Sequence, residues 1–148
     1  MNARIAVAED AEQLLDLMED FNRIEAIPFA RETMKAAMMP VLAADNHLGR
    51  LVIGEAAGAT IGYALVTFGY DLEYGGRDAW LTELYLVASA RASGNGHRLL
   101  DAAVAVAKAA GAHAMHLQVR RENEVARAVY ERAGFTTWTR LGYSKRPL

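Results

Sequence analysis

Two neighbouring stretches of the chain contain residues whose types and spacing could do chemistry. Glu83 lies inside the apolar stretch "AWLTELYLVA", where an unpaired carboxylate is costly. Pairing with an arginine, an exposed edge position and proton transfer are the alternative explanations. Further on, Gly94 and Gly96 flank Asn95 just before a predicted helix. Glycines allow close approach to the main chain, and the first N–H groups of a helix lack internal partners, so this loop could bind an anion.

The composition limits the classes of protein to consider. The chain has 148 residues, 53% of them hydrophobic, a net charge of -2 and no cysteine. This predicts one domain over residues 1–148 and excludes disulfides, thiolate metal sites and a cysteine nucleophile. Dispersed Lys and Arg residues argue against nucleic acid as a partner. Without a signal-peptide pattern or an apolar run of about 18 residues, we expect a cytoplasmic protein with no membrane contact.

Hydrophobic periodicity predicts the elements that must position these residues. A first strand in "RIAVAED" precedes a helix that Asp10 and Gln13 would begin as a capping box. The predicted buried side of that helix comprises Leu14, Leu17, Met18, Phe21 and Ile24. A second helix, "ARETMKAAMM", is expected to be interrupted or ended by Pro40.

The remaining elements follow the same reasoning. A hairpin of two strands is followed by the strand with Glu83, and then by a third helix closed by Gly111. Its predicted buried side comprises Leu99, Leu100, Ala103, Val104, Ala107 and Ala110. The strand "AHAMHLQV" and the helix "NEVARAVYERAGF" come next, and the tail "FTTWTRLGYSKRPL" could supply one or two strands. The prediction is an α/β fold with a mixed, mostly antiparallel sheet of six to seven strands and about four helices.

The pattern Arg91-x-x-Gly94-x-Gly96 resembles the acyl-CoA pyrophosphate loop of the GNAT superfamily of N-acetyltransferases. The segment "NEVARAVYERAGF" resembles a second signature of that family, and the order of elements is similar over nearly the whole chain. The residues that match the second signature are Asn123, Ala126, Tyr130, Gly134 and Phe135. The loop departs from the family at Ser93 and Asn95, where basic and aliphatic residues are usual.

The resemblance implies a fold, a co-substrate and roles for named residues. Acetyl-CoA would be the co-substrate and no metal would be needed. The pantetheine arm would pair with backbone groups of one strand and contact Asn123, and the pyrophosphate would bind the following loop. Those strand residues are Tyr85, Leu86 and Val87, and the loop residues are Arg91, Ala92, Ser93, Gly94, Asn95, Gly96 and His97.

Glu83 would be the general base, directly or through water, and Tyr130 the acid that protonates the leaving thiolate. The acceptor expected first is the primary amine of a small molecule, and a homodimer is left open. The alternatives are an amine of a protein or peptide, and a module that binds acyl-CoA without turnover. His113 and His116, three residues apart in a predicted strand, would point to opposite faces, which does not favour a zinc site.

Overall fold

The computed structural model describes residues 1–140 and 142–147, and the chain divides into two units, Met1–Gln118 and Val119–Leu148. The expectation of one domain stays a prediction. The first unit contains β1 (Asn2–Ile5), α1 (Ala11–Glu25), α2 (Arg31–Leu42), β2 (Gly49–Ala56), β3 (Ala59–Asp71), β4 (Gly76–Leu86), α3 (Asn95–Ala109) and β5 (Met115–Leu117). The second unit contains α4 (Glu124–Arg132).

The five strands form one sheet in the order β1-β2-β3-β4-β5. Neighbours are antiparallel from β1 to β4, whereas β4 and β5 are parallel. The predicted α/β class, the mixed and mostly antiparallel sheet and the four helices are therefore confirmed. The parallel pair is joined by the helix α3, as a parallel connection requires.

In the described part of the chain the sheet has five strands, fewer than the six to seven predicted. Among the described residues of the tail after Phe135, none is in a strand. Trp138 is 54% exposed and Tyr143 is 92% exposed, so these β-prone side chains bury little. Strand propensity reflects a fit to a half-buried pleated surface, and without that burial it does not produce a strand. Leu141 and Leu148, which belong to the predicted tail strands, lie outside the described residues.

Helices cover both faces of the sheet. Alternate residues of β2 and β3, including Leu51, Ile53 and Tyr63, pack in one buried cluster with the apolar side of α1 and with Met38 and Leu42 of α2. The helix α3 contacts β1, β2, β3 and β4. Its buried side comprises Leu99, Leu100, Ala103 and Ala107. The C-terminal end of β4 and the loop before α3 are the segments of the candidate ligand site.

Several local expectations were wrong. Ile24 and Val104 are 51% and 37% exposed, because each lies at the margin of its helix's apolar stripe. Asp10 is the N-cap residue of α1, as predicted, but the capping box does not form: the Asp10 side chain makes no capping hydrogen bond to the helix, and its carboxylate accepts the Val7 N–H at 2.8 Å instead. The helix α2 continues past Pro40 to Leu42, since a proline near the end of a helix removes only one backbone donor.

Candidate active site

A β-bulge in β4 positions Glu83. Glu83 pairs with Leu65 of β3, but the next register pair is Leu81 with Val66, so Thr82 is the extra residue. The Thr82 hydroxyl donates to the Leu65 carbonyl at 3.0 Å. A bulge bends its strand and changes the direction of the side chains around it. Here Thr82 is exposed, whereas Glu83 is half-buried.

The Glu83 carboxylate is paired with a phenol. Tyr63 Oη donates to Glu83 Oε2 at 2.6 Å, and Tyr63 is fully buried. Burial raises the pKa of Glu83, and the hydrogen bond from Tyr63 lowers it in part. The pKa of Tyr63 is raised by its own burial and by the adjacent carboxylate. A carboxylate with a raised pKa is a better proton acceptor near neutral pH than an exposed glutamate.

Three aromatic rings hold this pair in place. Phe21 of α1 lies 6.4 Å from the Tyr63 ring and 6.2 Å from the Tyr85 ring between centroids, and the two tyrosine rings are 6.1 Å apart. The two contacts of Phe21 are edge-to-face, a favourable geometry for aromatic pairs. Because Tyr63 is locked among these rings, its hydroxyl presents one fixed direction to Glu83.

The edge of β4 opens beyond the bulge. Its pairing with β5 covers only Ala79–Leu81 against Met115–Leu117, although β4 continues to Leu86. The Val87 N–H donates to Ile61 O at 2.9 Å, so alternation directs the backbone groups of Leu84 and Leu86 to the opposite, open side. Of the predicted backbone contributors, Leu86 faces this open edge, while Tyr85 is in register with Tyr63 on β3. Such an edge can accept an extended ligand.

The loop before α3 is built to expose its amides. Gly94 is the N-cap residue in a left-handed conformation, with φ of 77°, and no side chain caps the helix. The first backbone hydrogen bond is from Arg98 N–H to Gly94 O at 3.3 Å. The N–H groups of residues 95–97, which include His97, therefore have no partner within the helix. The helix dipole adds a favourable field for an anion there.

Ser93 and Asn95, where the loop departs from the family pattern, brace it. Ser93 Oγ and Asn95 Nδ2 each donate to the Ala90 carbonyl at 3.0 Å, and Asn95 Nδ2 also donates to Ser93 Oγ at 2.7 Å. Ala92 has a positive φ of 62°, which is strained for alanine. These hydrogen bonds hold the loop in a conformation that exposes its backbone. Ser93 and Asn95 therefore stabilise the loop and add no positive charge to it.

Asn123 and Tyr130 lie in the second unit. Asn123 caps α4, since its Oδ1 accepts the Ala126 N–H at 3.1 Å. The Tyr130 ring contacts the Phe135 ring edge-to-face at 6.0 Å. Burial raises the pKa of Tyr130, which keeps its phenol protonated near neutral pH and able to donate.

His116 of β5 and His113, which precedes β5, each contact other groups of the protein. His116 is buried, with Nε2 3.5 Å from Asp78 Oδ2, and its ring packs against Tyr74 and Trp80. His113 Nδ1 lies 3.1 Å from the Tyr74 carbonyl. Among residues 1–140 and 142–147, no group of three or more His, Cys, Asp or Glu could hold a metal ion. In the same residues, no helix is long and apolar enough to cross a membrane.

Sequence reasoning missed two residues of the site, Tyr63 and Thr82. The tyrosine lies in the alternating stretch "IGYALV" of β3, which predicts a strand but not the residue that it will face. The bulge at Thr82 has no signal in the sequence, because threonine is an ordinary strand residue.

Comparisons with known proteins show the family. The model of the acetyltransferase (GNAT) family matches residues 12–135. The uncharacterized N-acetyltransferase YhfO of Bacillus subtilis (strain 168) is 30% identical over 139 residues, which cover 91% of this chain and 89% of that protein.

Solved structures share the fold. An integron cassette protein from the mobile metagenome of the Cole Harbour salt marsh is 25% identical with a TM-score of 0.85, covering 99% of this chain and 91% of that one. A predicted acetyltransferase with acetyl-CoA from Clostridium acetobutylicum has a TM-score of 0.81 and 22% identity, covering 97% of this chain and 95% of that one.

Proposed function

Because the chain belongs to the acetyltransferase (GNAT) family and is therefore an acyltransferase that uses acetyl-CoA, we propose that its acceptor is the primary amine of a small molecule. The pairing of Glu83 with buried Tyr63 at 2.6 Å is the observation that supports this most strongly. Because the carboxylate is half-buried near Phe21, Tyr63 and Tyr85, the amine of a small molecule can reach it more easily than an amine on a folded protein. A binding module without turnover would have no use for this costly arrangement.

The residues present fit acetyl-CoA as co-substrate. The open edge at Leu84 and Leu86 would pair with the amide groups of the pantetheine arm, and the amides of residues 95–97 would bind the pyrophosphate. A Cβ atom on Gly96 would meet only Leu86 Cδ1, at 3.9 Å, so the fold itself has room there. The room around Gly96 supports the proposal that a ligand approaches the backbone there. Acetyl-CoA supplies the activated acetyl thioester.

Glu83 is the proposed general base that removes a proton from the acceptor amine. An alkylammonium group has a pKa of about 10.4, so at neutral pH it is mostly protonated and cannot attack. Glu83, directly or through water, would take one proton from the ammonium group before the attack. The neutral nitrogen then bonds to the acetyl carbon, the carbon–sulfur bond breaks, and the second proton that the nitrogen loses passes to solvent. The family resemblance assigns protonation of the departing sulfur to Tyr130, whose burial raises its pKa and keeps its phenol protonated. The backbone N–H of Leu84 on the open edge would face the carbonyl oxygen as it gains negative charge.

A screen of acceptors tests the proposal. Purified protein with acetyl-CoA is presented with small primary amines and, separately, with peptides carrying a free N-terminus or a lysine. Release of free thiol is followed, and acetylated product is identified by mass spectrometry. Saturable turnover of a small amine is expected. Turnover of peptides alone would overturn the small-molecule acceptor, while leaving the acetyl-CoA site intact.

A further inference from the structure

Arg91 occupies the open edge of β4. Its Nε donates to the Leu86 carbonyl at 2.9 Å, and its guanidinium lies 5.7 Å from the centroid of the Tyr85 ring. The side chain is exposed, so no packed neighbours force it into this position. The two contacts place the guanidinium beside the C-terminal end of β4.

The Leu86 carbonyl is a backbone acceptor that a ligand strand would use. A chain of amides lying along this edge must displace Arg91 Nε before it can donate to Leu86 O. The displaced guanidinium then needs another partner, because a charge-assisted hydrogen bond has been lost. Arg91 lies three residues before Gly94, in the same loop whose amides would bind a diphosphate. When the pantetheine arm of a ligand displaces the guanidinium, a diphosphate on the same ligand can therefore form an ion pair with it.

We propose that Arg91 is a specificity-determining residue that blocks the β4 edge against acyl thioesters lacking a diphosphate. A ligand that carries a diphosphate compensates for the displaced contact, whereas one that ends at the pantetheine arm does not. The inference rests on the proposed acetyl-CoA site. It goes further by assigning one side chain the discrimination between acetyl-CoA and truncated acetyl thioesters.

The test compares binding of acetyl-CoA and S-acetylpantetheine by calorimetric titration, which requires no acceptor amine. In Arg91→Met, we expect acetyl-CoA to bind about 3- to 10-fold more weakly, because a charge-assisted contact to phosphate is lost. We expect S-acetylpantetheine to bind more tightly by a similar factor, because Leu86 O is now accessible. Opposite signs for the two ligands are the expected result.

Arg98→Met is the matched control. It removes one positive charge from the exposed first turn of α3, so acetyl-CoA can weaken by loss of charge. The affinity for S-acetylpantetheine should stay unchanged, because Arg98 does not contact Leu86 O. Arg91→Ala, which shortens the side chain further, must give the same two signs as Arg91→Met.

Binding of acetyl-CoA to the wild-type protein distinguishes failure of this inference from failure of the proposed acetyl-CoA site. If it binds acetyl-CoA and Arg91→Met weakens both ligands or leaves S-acetylpantetheine unchanged, the specificity role is wrong. If the wild-type protein does not bind acetyl-CoA, the proposed acetyl-CoA site fails, and this inference fails with it.

Discussion

The chemistry proposed for Glu83 depends on burial and on a single hydrogen bond from Tyr63. In Glu83→Gln the size and most hydrogen bonding are kept while the proton acceptor is removed. We expect kcat at neutral pH to fall by about 10²- to 10⁴-fold, the range typical for loss of a general base, with acetyl-CoA affinity nearly unchanged. Activity should recover in part as the pH rises, because more of the amine is already neutral. Steady-state kinetics across this pH range, with calorimetry for acetyl-CoA, measure both effects.

Glu9→Gln, an exposed change in the first turn before α1, is the control and should behave as wild type. A Glu83→Gln protein with wild-type kcat would exclude the base role. Joint loss of folding and acetyl-CoA binding would instead make the carboxylate structural.

Tyr63 should tune the pH at which Glu83 works. Its hydrogen bond lowers the pKa of Glu83 against the larger, raising effect of burial. Tyr63→Phe removes only the hydroxyl, so the pKa of Glu83 should rise further. Since the base is active above its pKa, the acidic limb of kcat/KM should move to higher pH.

The pH profile of kcat/KM measures this shift, and Tyr70→Phe, at a position that is 78% exposed, is the control. An acidic limb that stays in place, or moves to lower pH, would contradict the coupling between Tyr63 and Glu83.

At the scale of elements, we propose that the loop before α3 and the first turn of α3 together form an anion site. Gly96→Asp should leave the fold intact, because a Cβ atom there meets only Leu86 Cδ1 at 3.9 Å. It should abolish binding of acetyl-CoA, since a side chain and a negative charge now occupy the place of the pyrophosphate. Calorimetric titration together with a thermal melt checks both statements.

Gly96→Asn separates bulk from charge, because asparagine has the size of aspartate without its charge. It should weaken acetyl-CoA less than Gly96→Asp does. Unchanged affinity in a folded Gly96→Asp protein would show that the pyrophosphate does not bind this loop.

At the scale of the whole molecule, an ion pair joins β1 to the start of α1. Arg4 Nη1 and Nη2 each donate to a different oxygen of the buried Asp10 carboxylate at 2.8 Å. The hydrogen bond from Arg4 is the largest cause that lowers the pKa of Asp10 below its ordinary value of 3.8. A lowered folded-state pKa stabilises the fold above the unfolded-state pKa, and this stability is lost as the pH falls through the folded-state pKa.

Arg4→Met should therefore lower the free energy of unfolding at neutral pH by about 1.5–3 kcal/mol, the cost of removing hydrogen bonds to a charged buried group. The difference from wild type should shrink as the pH falls below 3.8. Urea unfolding at several pH values measures it. Arg23→Met breaks an exposed pair with Asp20 and should change little. An equal destabilisation by Arg4→Met at all pH values would assign the effect to packing.

Much of the fold could be predicted from the sequence because its signals are local. Periodicity located α1, α3 and α4 and the hairpin, and glycine spacing marked the loop from Arg91 to His97. Helical and strand patterns depend on residues close in the chain, so they survive without knowledge of the tertiary fold. Within what the structure describes of the tail after Phe135, the predicted strands are absent, because strand formation depends on burial against other elements and not on the local pattern alone.

The sequence by itself determined that Glu83 is the carboxylate within an apolar strand. It also determined that a loop with two glycines follows this strand and precedes a helix. Only the tertiary structure decided what Glu83 pairs with. Tyr63 and Glu83 are twenty residues apart, and their contact depends on the register of β3 with β4 and on the extra residue Thr82. A shift of one residue turns every side chain of a strand to the other face. Register and bulge are properties of the assembled sheet, so no local pattern specifies them.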